Sequence, residues 1–273
     1  MSMKWSLTKH HGLGNDFLVF DRTQGVPTKP WAELAVTWCD RRTGIGADGL
    51  LLLDRVDDHT LGMELYNADG SRAEMSGNGI RCLAQAAYIA DGCSGAHEYS
   101  VFTDAGVRVL EVLCAEPGDP HTLHVEVHMG AVENLSEPDN WALLECHPDR
   151  PVRHVSLGNP HSVVGVDDVA VVDLAELGQK VPQVNLEIIE PGPEPHAITM
   201  RVHERGAGIT MACGTGACAA AEAAVAWGLV PASTPEVIVH MDGGDAKVRV
   251  DSSTRAVTLI GPAVLIASIS VHM

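Results

Sequence analysis

A short turn-and-helix pattern occurs twice in this chain, and it constrains the fold more than any other feature. Ser76-Gly77-Asn78-Gly79 runs into the apolar stretch Ile80-Arg81-Cys82-Leu83-Ala84-Gln85-Ala86-Ala87. Cys213-Gly214-Thr215-Gly216, 137 positions later, runs into Ala217-Cys218-Ala219-Ala220-Ala221-Glu222-Ala223-Ala224. Each copy is a small nucleophile, Gly, a polar residue, Gly and then an Ala-rich helix, closed by Gly92 in one and Gly228 in the other. Upstream, Leu13-Gly14-Asn15 is echoed by Leu157-Gly158-Asn159 at an offset of 144. Two motifs in the same order at nearly the same spacing, about half of 273 residues, predict two pseudo-symmetric halves. The join is expected near Glu116-Pro117-Gly118-Asp119-Pro120.

Around the repeats the chain reads as many short strands and few helices. Strands are expected at 17–21, 50–53, 63–67, 107–114, 121–128, 237–240 and 247–251, several with alternating apolar and polar residues. Helices are expected at 31–39, 79–90, 170–180 and 216–227. This is an α+β pattern with segregated helices rather than alternating βαβ units. The balance of 36 acidic against 18 basic side chains argues against nucleic-acid and anionic-membrane partners. No apolar run reaches the roughly 20 residues of a membrane span; the longest tract, 256–269, is broken by Gly261-Pro262. The opening Met1-Ser2-Met3-Lys4-Trp5 lacks the apolar core of a signal peptide. Seven cysteines, an odd number, suit a reducing compartment better than a disulfide framework, and a cytoplasmic location is expected.

A glycine-rich turn entering a helix exposes unpaired N–H groups at the positive end of the helix dipole, which makes an anion site. A cysteine at the first position of that turn is expected to titrate below its free value of about 8.5, so Cys213 reads as a thiolate-capable residue. Symmetric halves would face two such turns across one cleft. The chemistry that needs two similar proton carriers on opposite faces of one carbon is racemisation or epimerisation. Gly44-Ile45-Gly46-Ala47-Asp48-Gly49 matches a dinucleotide-binding fingerprint, but a helical stretch precedes it and a strand-like one follows, the reverse of what that site requires. His121, His124 and His128 alternate along a strand, with only the last two on one face, so no metal site is expected there.

The chain resembles diaminopimelate epimerases along almost its whole length. The resemblance rests on 9–17, 41–49, Tyr66-Asn67-Ala68-Asp69-Gly70 through Arg81, Gly158-Asn159-Pro160-His161, Glu204-Arg205-Gly206, Ala212 through Ala217, and Gly261-Pro262-Ala263. It implies two similar domains, each a mostly antiparallel barrel-like sheet around a central helix, covering 1–118 (with 264–273 returning to them) and 119–263, with the active site in the cleft between them. It implies an isomerase of amino acids that converts LL-diaminopimelate to meso-diaminopimelate on the route to lysine and peptidoglycan. No cofactor is implied, and a homodimer working on a small-molecule substrate in the cytoplasm is. By position it assigns Cys213 and position 76 as the acid/base pair, with Glu204 and His161 at the reacting centre. Asn15, Asn67, Gly77, Asn78, Asn159, Asn185, Glu204, Arg205, Gly214 and Thr215 are implied to contact substrate. These residue types match a ligand of that kind. Asn offers both donor and acceptor to a zwitterion, Glu204 can accept from the ammonium, and Arg205 can fork onto the distal carboxylate.

The departure is Ser76, where the family pattern has its second Cys. A hydroxyl is a far weaker acid than a thiol, and Cys82, six residues along the helix, is more than a turn away. Three readings remain open at this level: an engineered Cys-to-Ser variant that holds substrate without turnover, a natural epimerase with one weakened or differently relayed base, or a relative such as a racemase or dehydratase that uses Cys213 alone. A non-catalytic amino-acid-binding relative is the reading outside enzymes.

Overall fold

The computed structural model describes residues 4–116 and 118–272, the side chains of Cys114 and Glu116 excepted. Met1-Ser2-Met3 of the opening segment and Pro117 of the expected join lie outside the described residues. Two compact units are present, Met1–Val127 with Gly261–Met273, and His128–Ile260.

In the first unit, β1 (Lys4–Gly12) and β2 (Asn15–Asp21) form an antiparallel hairpin. Its turn residues Leu13 and Gly14 have φ of 55° and 82°, the left-handed pair that a two-residue hairpin turn requires. α1 (Trp31–Cys39) leads to β3 (Gly49–Arg55), parallel to β2, and then to its antiparallel partner β4 (Thr60–Asn67) and the short β5 (Arg72–Ala73). α2 (Gly77–Ala90) follows, then β6 (His97–Thr103), parallel to β4, with β7 (Gly106–Glu116) and β8 (Asp119–Ala131).

The second unit repeats this order. β9 (Glu133–Asn134) pairs with β10 (Val152–Ser156), which forms a hairpin with β11 (Pro160–Gly165). α3 (Leu174–Lys180) leads to β12 (Asn185–Pro191), parallel to β11, then to β13 (Ala197–Glu204) and the short β14 (Gly208–Thr210). α4 (Gly214–Trp227) follows, then β15 (Val237–Met241), parallel to β13, with β16 (Gly244–Val250) and β17 (Ala256–His272). β17 pairs with β16 over Val257–Ile260 and with β1 over Val264–His272, and it also pairs with β8, so the sheet of the first unit closes on itself. The α+β class and the internal repeat read from the sequence are therefore present. The chain leaves the first unit within β8, after Val127, and returns within β17, at Gly261; Gly118 to Pro120 lie in the first unit at the β7–β8 turn.

Both repeat helices are buried over most of their length, α2 from Gly77 to Tyr88 and α4 from Gly214 to Ala224. Alanine or cysteine at every position from 217 to 224 except Glu222 gives α4 the narrow girth that close packing against surrounding strands needs. Its one buried carboxylate, Glu222, is paired with Arg153 and Arg255. The start of each helix lies two residues earlier than the sequence suggests, at Gly77 and Gly214. The helix expected over 170–180 is instead a 3-10 turn at Val169–Val171 and the shorter α3. Asp168 and Asp173 each accept a backbone N–H just downstream and start separate turns, which is why one continuous helix does not form. The histidines at 121, 124 and 128 all lie on β8.

The dinucleotide-like segment is a tight turn between α1 and β3. A Cβ added at Gly44 would lie 2.3 Å from the carbonyl oxygen of Thr37 and within 3 Å of those of Trp38 and Asp40. The glycines there serve close backbone approach. Gly44→Ala is expected to cost about 1–3 kcal/mol, read as a lower urea midpoint at unchanged slope.

His10 on β1 is fully buried, hydrogen-bonded through Nδ1 to Gln85 of α2, with Nε2 facing no partner. Burial pushes its pKa down to about 4. Because the folded state binds the proton less well than the unfolded chain, stability is complete above about 6.5 and is lost as pH falls toward 4, by about 3 kcal/mol. Urea titrations between pH 4 and 7 are expected to show that part of the slope vanish in His10→Gln.

Candidate active site

The start of α2 is built from side chains of the first unit. Ser76 sits in extended backbone (φ −141°) and its Oγ accepts the N–H of Gly79 at 3.0 Å, capping the helix. Asn78 Nδ2 donates to Asn15 Oδ1 at 3.1 Å, and Asn15 Nδ2 donates to Asp48 Oδ2 at 2.8 Å. Beneath them the fully buried Arg81 donates to Gly77 O at 3.0 Å and Asn78 Oδ1 at 2.9 Å. Its guanidinium needs the glycines around it: a Cβ at Gly12 or Gly261 would lie 3.0–3.1 Å from guanidinium atoms. Asp48 and Asp16 share Arg41, and Asp16 also meets Lys9 at 2.9 Å. Burial works against the Asp16 carboxylate, yet Arg41 and Lys9 together hold it below the usual range. Asn67 stands apart from this chain and donates to Ser71 Oγ at 3.0 Å.

The start of α4 is built the same way in the second unit. Cys213 occupies extended backbone (φ −128°), and its Sγ accepts the N–H of Gly216 at 3.4 Å, as Ser76 does in its copy. Thr215 Oγ1 lies 3.5 Å from that sulfur, and Asn159 Nδ2 donates to Thr215 Oγ1 at 3.2 Å. Asn159 Oδ1 faces His161 Nε2 at 3.0 Å, and His161 Nδ1 meets Glu187 Oε1 at 2.7 Å. The parallel register of β11 and β12 sets His161 opposite Asn185. Asn185 donates to Pro160 O and accepts the N–H of Arg205 at 2.8 Å, tying β12 to the end of β13. Glu204 accepts from Thr210 Oγ1 at 2.5 Å, and Arg205 is exposed.

The structure thus brings Asn15, Asn78 and Gly77 together around Ser76, and Asn159, His161, Gly214 and Thr215 together around Cys213. Sequence reasoning missed Asp48, which orients Asn15, and Glu187, which orients His161. The available signal for Glu187 was its spacing of two from Asn185 on an apolar strand, which places both on one face.

The expectation that Cys213 titrates low is corrected. Its thiol is pushed well above the ordinary value, by burial first and then by the nearby carboxyls of Glu204 and Glu187. The hydrogen bonds from Thr215 and from the Gly216 N–H act in the opposite direction but do not win. A helix N-terminus lowers a thiol when it remains solvated; this sulfur is almost fully enclosed. Glu187 is raised as well, by burial, against the pull of His161. In the free protein Cys213 is a thiol, a proton donor rather than a ready base.

The diaminopimelate epimerase family model matches residues 7–135 and 153–266. The chain belongs to the diaminopimelate epimerase family. It is 38% identical to the diaminopimelate epimerase of Thermosynechococcus vestitus, over 97% of this chain and 99% of that one. It is 35% identical to that of Desulforapulum autotrophicum, over 96% of each. Among solved structures, a Pseudomonas aeruginosa protein described as a predicted epimerase superposes with a TM-score of 0.76 at 17% identity, covering 98% of this chain and 99% of that one. A hydroxyproline epimerase from Agrobacterium vitis, with bound trans-4-OH-L-proline, gives 0.70 at 16% identity, over 99% and 93%. At these identities the two structures establish the shared fold. Among the described residues, no helix is long and apolar enough to cross a membrane.

The raised thiol of this family member has a measurable consequence. Alkylation of Cys213 by iodoacetamide, followed by peptide mass spectrometry, is expected to rise with pH through a midpoint above that of a free cysteine. Glu204→Gln removes a nearby negative charge and is expected to move that midpoint down.

Proposed function

We propose that this protein epimerises LL-diaminopimelate to meso-diaminopimelate by proton transfer between side chains and the α-carbon, without an electron-sink cofactor. The observation that carries this is the equivalence of the two helix caps in a chain of this family. Ser76 and Cys213 occupy the same extended backbone position and accept the same third N–H of their helices. In this reading the N–H groups of Gly77, Asn78, Gly214 and Thr215 hold the α-carboxylate, and their dipoles stabilise charge that develops there as the α-proton leaves. The α-ammonium pairs with Glu204, which offsets one of the charges that hold the Cys213 proton in place. Arg205, exposed in the free protein, takes the distal carboxylate, and Asn15, Asn67, Asn159 and Asn185 fix the rest of the zwitterion. His161 stands beside the reacting centre as an orienting group.

Cys213 serves one face of the α-carbon and Ser76 the other. Ser76 can deliver a proton, but its hydroxyl is a poor base, so turnover is impaired at that face. The same asymmetry supports a second reading, one-face exchange at Cys213 alone on diaminopimelate or a related amino acid. A cytoplasmic homodimer supplying the route to lysine belongs to the first proposal.

NMR of the α-protons in D2O, with LL- and meso-diaminopimelate offered separately, tests both. Interconversion of the isomers with deuterium incorporated supports two working faces, and exchange from one isomer without inversion supports Cys213 acting alone. Ser76→Cys is expected to raise the epimerisation rate by about 10²–10⁴-fold. If neither isomer exchanges in Ser76→Cys, the pairing of these two positions is wrong.

A further inference from the structure

The carboxyl of Glu187 has no role in the chemistry above, yet it is fully buried and heads an unbroken hydrogen-bonded chain. The chain runs from Glu187 Oε1 to His161 Nδ1 (2.7 Å), His161 Nε2 to Asn159 Oδ1 (3.0 Å), Asn159 Nδ2 to Thr215 Oγ1 (3.2 Å), and Thr215 Oγ1 to Cys213 Sγ (3.5 Å). An amide oxygen cannot donate, so His161 Nε2 carries a hydrogen. The short contact at Nδ1 needs one more proton, held by the carboxyl or by the ring, and in either case the pair is neutral overall. Glu187 Oε2 is buried without a hydrogen-bond partner, a place where an anionic oxygen is far costlier than a neutral one. The proton therefore belongs on the carboxyl, which donates to Nδ1. Every later link then donates toward the sulfur.

We propose that Glu187 is a positioning residue for Cys213: it holds His161 as the Nε2–H tautomer and thereby aims a chain of donors, ending in the Thr215 hydroxyl, at the sulfur. The arrangement favours the thiolate at the moment Cys213 gives up its proton, against the negative charge of Glu204 on β13. It rests on Cys213 being the reactive group of the proposed epimerase, and it is tested without substrate so that the two can fail separately.

The pH profile of Cys213 alkylation is measured in wild type, Glu187→Gln and Glu187→Leu. Gln keeps a donor for Nδ1 and the neutrality of the pair, and is expected to stay within about twofold of wild type. Leu fills similar space without a donor, and is expected to move the profile to higher pH and slow alkylation at fixed pH about tenfold. Equal slowing in both variants would mean that charge, not donor direction, matters; no change in Leu, or faster alkylation, would mean that the chain does not act on the sulfur. Each of these overturns the proposal. In unmutated protein, ¹⁵N-histidine NMR is expected to show His161 protonated at Nε2 near neutral pH; a ring protonated only at Nδ1 overturns it irrespective of how the variants fold.

Discussion

A helix enclosed by strands has its side chains satisfied by packing, but the first N–H groups of its backbone have no partners within the helix. That constraint governs this protein. α2 and α4 are buried from their first residue, so their opening turns cannot rely on water, and each takes a side chain from the residue just before it as its cap. The second glycine of each opening turn lets other groups come close: a Cβ at Gly216 would lie 2.7 Å from Glu187 Oε1, and one at Gly79 3.1 Å from Ser76 Cβ. The same unsatisfied donors that make burial of the helix costly make its start a place for an anion. In the proposed function, chemistry and stability draw on N–H groups of the same two helix starts.

Much of the architecture is legible in the sequence. The two Ser/Cys-Gly-x-Gly turns mark both buried helices, and the two Leu-Gly-Asn turns mark the equivalent hairpins, because tight turns and close approach leave few residue choices. α1 is legible to the residue. The strand β12 is not singled out: Asn185-Leu186-Glu187-Ile188-Ile189 is buried on both faces, and such runs lack the period-two alternation that identifies a half-exposed strand. Gly261-Pro262 looks like a break, yet it lies inside β17, at the point where pairing passes from β16 to β1 and no ladder hydrogen bond from either is required.

The site is legible as residues and not as an electrostatic environment. A sequence shows that Cys213 precedes a helix; it does not show two carboxyl groups near its sulfur or the loss of water around it. The carboxyls come from strands well removed along the chain, Glu187 on β12 and Glu204 on β13, and burial together with the Glu204 charge reverses the sign of the expected shift. In the first unit the charges are arranged differently: Asp16 and Asp48 are matched by Lys9 and Arg41, and the buried cation Arg81 lies under the helix start. The two copies of one motif have therefore diverged in the sign of the charge that surrounds them, as well as in the capping atom.

The course of β17 bears on how the chain is made. Its residues from Val264 onward supply the partner of β1, the first strand described, while the second unit is a single continuous stretch, His128–Ile260. During synthesis from the N-terminus, β1 pairs with β2 early but waits for nearly the whole chain before its second partner, β17, exists. For that interval one edge of its sheet is open to other chains, whereas the second unit has all its strands in hand once Ile260 is out. Order of translation and order of closure are thus opposed, and the first half of the chain to be born is the last to be sealed.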